Sequence, residues 1–134
     1  MGSVSTKSLI LLLAQNNPKS FISGSLITLS SVLKDYNRNE FHHIYPKAFV
    51  NSLEQDNIDY SVNCLANFSI ISRADNKKID CKEPSQYREQ EMPDDSIDIL
   101  NSALIDEQKL IDNNFNDFID NRSIKLFEFL KTFI

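Results

Sequence analysis

The stretch that decides the reading of this chain is His42-His43-Ile44-Tyr45-Pro46-Lys47. It contains both histidines of the 134-residue sequence, side by side. On an extended strand, adjacent side chains point to opposite faces, so two neighbouring imidazoles can do two different jobs. One can bind a metal while the other takes a proton from water. Pro46 has no N–H to give to a sheet, so it ends a strand that the residues predict from Phe41 to Tyr45. A short helix is expected from Lys47 to Leu53, then a polar loop from Gln55 to Tyr60.

Further along, Ala66 to Ser72 carries the apolar run Phe68-Ser69-Ile70-Ile71 and reads as a second strand. Ser72 has the side-chain oxygen needed to cap a helix that runs to about Lys78. The order is strand, excursion, strand, helix. Cleaving a phosphodiester needs an activated water, neutralisation of charge at the phosphate, and help for the leaving oxygen. A neutral imidazole near pH 7 suits the first task, and His43 is the candidate base. His42 is then a candidate metal ligand. Asn67, just before the second strand, offers an amide oxygen that can accept a hydrogen bond from the base and orient it without adding charge. Asn76 falls on the following helix, and its amide oxygen suits a hard divalent cation. Asp80, four residues on, shares that face if the helix continues and would add a carboxylate as a third ligand.

Outside this unit, a helix is predicted from Ser5 to Gln15, ended by Asn16-Asn17-Pro18. Ser23-Gly24-Ser25 is a turn. Leu26, Leu29, Val32 and Leu33 keep helical spacing up to Tyr36-Asn37-Arg38-Asn39. Pro84 suits a first helical position, with Tyr87 facing inward. Ile97, Leu100, Ala103 and Leu104 have helical period. So do Phe115, Phe118, Ile119, Arg122, Leu126, Phe129, Leu130 and Phe133, which predict a long C-terminal amphipathic helix packed by its phenylalanines. The expected fold class is α+β: a mostly helical domain around a small strand–strand–helix unit with a two-stranded antiparallel hairpin. A single domain is expected over 1–134, with a helical part at 1–40, the hairpin unit at 41–80 and a second helical part at 81–134.

Composition sets the outer bounds. Hydrophobic residues make up 41% and charged residues 25%, ordinary for a globular chain. The run from Leu9 to Ala14 is too short to cross a bilayer and lacks a following cleavage site, so the expectation is a cytoplasmic protein with no membrane partner. Cys64 and Cys81 make neither a disulfide framework nor a four-thiolate zinc site. Gly2 and Gly24 are the only glycines, which excludes Walker and Rossmann phosphate loops. Net charge is −5, but residues 91–134 hold 10 acidic and 4 basic side chains, while residues 1–90 are close to neutral. Lys47, Arg73, Lys77 and Lys78 lie around the candidate site and are the expected contacts to DNA. A chain this acidic should not grip DNA strongly by counterion release, so most affinity would come from another domain or subunit.

In this order, the strings His-His-Ile-Tyr-Pro-Lys, Asn-Phe-Ser-Ile-Ile and Asp-Asn-Lys-Lys resemble the HNH (His-Me finger, ββα-metal) endonucleases. The C-terminal nuclease domains of GmrSD-like, modification-dependent restriction enzymes and their phage-defence relatives are the nearest likeness. Pro84-Ser85-Gln86-Tyr87 and Phe118-Ile119-Asp120-Asn121-Arg122 are weaker parts of the same resemblance, which runs from about Leu9 onward. The resemblance implies that His42 and Asn76 hold metal, His43 is the general base and Asn67 orients it. Asparagine at 76, where many such enzymes carry histidine, favours Mg²⁺ or Mn²⁺ over Zn²⁺. It also implies an N-terminal NTPase or DNA-sensing domain or subunit, the present chain being a C-terminal fragment or a single-domain relative. Cutting both strands would take two sites, hence a homodimer or sequential nicking. The competing expectations are a degenerate scaffold that binds DNA or a partner without cutting, and a small metal-binding interaction domain unrelated to nucleases.

Overall fold

The computed structural model describes residues 8, 9, 11–13, 15, 16, 19, 20, 22–25 and 41–133. The helical spacing expected from Leu26 to Leu33 lies outside the described residues, as does its end at Tyr36-Asn37-Arg38-Asn39. The fold is α+β, with a two-stranded antiparallel sheet and helices around it. Strand β1 is Phe41–His43 and β2 is Phe68–Ile70, in the register Phe41 to Ile70, His42 to Ser69 and His43 to Phe68. Both strands are shorter than expected. Pro46 caps helix α1, Lys47–Ser52, and the chain bends at Ile44 and Tyr45 instead of continuing the strand.

The connection to β2 contains two short 3-10 turns, Gln55–Asn57 and Leu65–Asn67. After β2, the Ser72 hydroxyl accepts from the Asp75 N–H and starts α2, Arg73–Ile79, as a side-chain cap should. Pro84 opens α3, Pro84–Gln90, where its missing N–H costs nothing. Helices α4, Ile97–Ser102, and α5, Glu107–Ile111, lead into α6, Phe115–Lys131. The Asp106 and Asn114 side chains cap α5 and α6. Residues 8, 9 and 11–13 are helical, as expected from the sequence. Among the described residues, no helix is long and apolar enough to cross a membrane.

The main core gathers Ile44, Tyr45, Val50, Ile71, Ile79, Tyr87, Leu100, Leu110, Phe115, Phe118 and Ile119. On the other side, Phe68 and Ile70 pack with Leu9 and Leu13. The hairpin is therefore held between the N-terminal helical segment and the later helices. The stripe on α6 is narrower than its apolar spacing suggests. Phe115, Phe118 and Ile119 are buried, whereas Leu130 and Phe133 are exposed, as is Ile97 on α4.

Three polar side chains fasten the backbone around the histidines. Tyr87 is fully buried and its hydroxyl donates to the Ile44 carbonyl at 2.7 Å. The Tyr45 hydroxyl donates to the carbonyl of Lys109 at 2.9 Å. Arg122 is also fully buried, and its guanidinium donates to the carbonyls of Ala66, Phe68 and Ala103. A buried cation needs such saturation, because each missing hydrogen bond would leave desolvated charge uncompensated. The weaker sequence strings, Pro-x-x-Tyr and Phe-x-x-x-Arg, are thus braces for the hairpin.

Candidate functional site

A cleft of about 110 Å³ is lined by His42, His43, Pro46, Lys47, Asn76, Ile79 and Asp80. These residues come from the end of β1, the start of α1 and the end of α2. Residues directly opposite in an antiparallel pair share a sheet face, so His42 goes with Ser69 and His43 with Phe68. The strand stops at His43, which lets both imidazoles border one cleft from the two faces. Helix α2 brings Asn76 to the same cleft.

Asp80 arrives there by a different route from the one expected. The helix ends at Ile79, and Asp80 adopts φ 48°, ψ −120°. Lys82 N–H donates to the Ile79 carbonyl at 3.0 Å, closing a tight turn with Asp80 at its first central position. The turn, not a helix face, places Asp80 at the cleft.

His43 is half-buried. Its Nε2 is 2.9 Å from Asn63 Oδ1, and its ring stacks at a tilt on Phe68 with centroids 4.5 Å apart. Burial lowers its pKa from the ordinary imidazole value, the Asn63 hydrogen bond works the other way, and the Lys47 charge lowers it further. The net shift is downward, which favours the neutral ring, the form that can accept a proton.

Asn67 does not orient His43 by direct contact. Its Oδ1 accepts from Tyr45 N–H at 2.8 Å, and its Nδ2 donates to the carbonyls of Tyr45 at 3.1 Å and Val62 at 2.9 Å. A fully buried amide must satisfy both ends, and the backbone groups of Tyr45 and Val62 do so. Asn67 is a bracket between the end of β1 and the loop before β2. The residue at the ring is Asn63, which no spacing or pattern in the sequence singles out.

The donors at the cleft are one imidazole, one amide and one carboxylate: His42, Asn76 and Asp80. Among the described residues, no group of three or more His, Cys, Asp or Glu side chains is placed to hold a metal. Two of the three, His42 and Asp80, are of these types, and the third, Asn76, is an amide. Two hard oxygens and one nitrogen, with room for water, fit Mg²⁺ or Mn²⁺ better than the sulfur- and nitrogen-rich surroundings zinc favours.

Of the four basic residues expected to meet DNA, Lys47 lines the cleft, while Arg73, Lys77 and Lys78 are exposed on α2. Lys78 lies 3.9 Å from Asp75. That carboxylate is buried and accepts from the hydroxyls of Ser20 and Ser23 at 2.5 and 2.6 Å and from Ser23 N–H at 3.1 Å. Comparison with protein-family profiles, with curated proteins and with solved structures finds no match.

Proposed function

We propose that the chain is a metal-dependent DNA endonuclease domain of the HNH type, with β1, β2 and α2 as its ββα-metal unit. The observation that carries this reading is the convergence of His42, His43, Lys47, Asn76 and Asp80, from two separate stretches of sequence, on one cleft. In this reading His42, Asn76 and Asp80 hold a divalent cation, Mg²⁺ or Mn²⁺. When bound, the cation supplies positive charge at the scissile phosphate. His43 takes a proton from water. The water oxygen bonds to phosphorus as the P–O ester bond breaks, and the leaving oxygen collects a proton from solvent. Lys47 places an ammonium group beside the phosphate, and Arg73, Lys77 and Lys78 track the backbone. A cytoplasmic role in restriction or phage defence, and an N-terminal NTPase or DNA-sensing partner supplying most of the affinity, follow from the resemblance. Double-strand cuts come from a second copy of the site or from two successive nicks.

A second reading, a scaffold that binds DNA or a partner without cutting, is favoured by one observation: among the described residues, no group of three or more His, Cys, Asp or Glu side chains is placed to hold a metal. Plasmid nicking with Mg²⁺ or Mn²⁺ separates the two. The endonuclease reading expects wild-type nicking and a loss of about 10²–10⁴-fold in His43→Ala, with thermal stability nearly unchanged. A variant that nicks at the wild-type rate overturns the role of His43. A wild type that binds DNA and never nicks it establishes the scaffold.

A further inference from the structure

The orientation of His43 depends on a residue outside every motif in the chain. Asn63 lies on the surface, in the turn that precedes the 3-10 segment Leu65–Asn67. Its Oδ1 is an acceptor only, so a 2.9 Å contact with an imidazole nitrogen requires the proton to sit on Nε2. In the neutral ring the lone pair is then on Nδ1. Among the described residues, no other group hydrogen-bonds this ring. Phe68 against one face restricts its rotation.

The loop that carries Asn63 is itself held in place. Asn63 N–H donates to Ser61 Oγ at 3.1 Å, and Cys64 N–H donates to the Ser61 carbonyl at 3.0 Å. The Asn67 amide reaches the Val62 carbonyl, one residue before Asn63, and both backbone groups of Tyr45, two residues after His43. One buried side chain thus sets the distance between the ring and the residue that orients it. His42 is on the opposite face of the hairpin, so this arrangement acts on the base and not on the metal ligands.

We propose that Asn63 is the positioning residue for His43: it fixes the Nε2–H tautomer and leaves Nδ1 as the atom that accepts the proton from water. The consequence for rate rests on the endonuclease reading; the tautomer does not. The test therefore has two independent readouts. Long-range ¹H–¹⁵N spectra of the metal-free protein, recorded above the His43 titration, report the tautomer. The wild type should show His43 protonated on Nε2, and Asn63→Ala should show a mixture of both tautomers. Nicking by Asn63→Ala should fall about 10–100-fold in kcat with little change in KM. Asn63→Asp, which keeps an acceptor, should recover most of both signals. Because Asn63 is exposed, these changes leave the core intact. A wild-type ring protonated on Nδ1, or a tautomer unaffected by Asn63→Ala, overturns the proposal even if nicking is normal. A tautomer shift in a protein that does not nick keeps Asn63 in its role and removes the nuclease instead.

Discussion

Asp80 occupies a backbone conformation that glycine would take more readily. Its φ of 48° and ψ of −120° match the first central position of a type II′ turn, which is dominated by Gly, Asn and Asp. Glycine there would remove the conformational cost of the Cβ and, with it, the carboxylate proposed as a ligand. Asp80→Gly should therefore raise stability by about 1 kcal/mol while weakening Mn²⁺ binding, read by thermal melts and calorimetry on the same samples. If affinity for Mn²⁺ is unchanged, Asp80 is a turn residue and not a ligand. At this scale the sequence is partly legible. His42 and Asn76 can be paired from their chemistry, and both border the cleft. The exchange of roles between Asn67 and Asn63 cannot be read, because an amide is equally able to serve an imidazole or a peptide group. Only the fold decides which is nearer.

Helix α2 shows what is legible at the scale of an element. Ser72 announces its start, and its hydroxyl does accept from Asp75 N–H. The Asp75 side chain then turns away from the helix and ties it to Ser20 and Ser23, a partnership across more than fifty residues that no local pattern carries. Burial pushes the Asp75 pKa up, but the hydrogen bonds from Ser20, Ser23 and Ser72 outweigh it, and the net shift is downward. With the folded value below the unfolded one, the unfolded chain binds more protons in acid. The stabilisation is complete above the ordinary carboxylate value of 3.8 and is lost as pH falls through the folded value. Asp75→Ala should cost about 2–4 kcal/mol at pH 7. Between pH 7 and 3 the wild type should lose more stability than Asp75→Asn; equal losses in urea titrations would remove Asp75 as an anchor. Elsewhere the elements depart from their spacing for local reasons. Leu104 keeps helical period with Leu100, yet α4 stops at Ser102 and Leu104 takes φ 58°. Helix α5 is five residues long, too short to leave a periodic signal.

Over the whole molecule, charge is distributed unevenly. Of the carboxylates in residues 91–134, Asp94, Asp95, Asp98, Asp112, Asp117, Asp120 and Glu128 are exposed. The exposed cations of α2 belong to the part of the chain that is nearly neutral overall. If DNA is approached through α2, Lys77→Glu with Lys78→Glu should weaken binding and flatten its salt dependence by a slope of about 1 per lysine. Neutralising Asp112, Asp117 and Asp120 should change it little. A larger effect from the second set, in fluorescence anisotropy across salt concentrations, places DNA on the other side. The α+β class and the strand–strand–helix order are legible because proline, caps and apolar runs mark them locally. What holds the hairpin is not. Tyr87 reaches Ile44 from α3, Lys109 receives Tyr45 at α5, and Arg122 spans from α6 to Ala66 and Phe68.

Those three braces bear on how portable the histidine unit is. Residues 41–80 contain every side chain proposed to touch metal, water or phosphate, yet apart from Asn67 the side chains and carbonyls that brace Ile44, Tyr45 and β2 come from residues 87–122. Transplanted into another protein, that forty-residue stretch would leave its scaffolding behind. The unit is tenanted within this fold, and the piece that would have to travel with it runs from Leu9, which packs on β2, to the middle of α6.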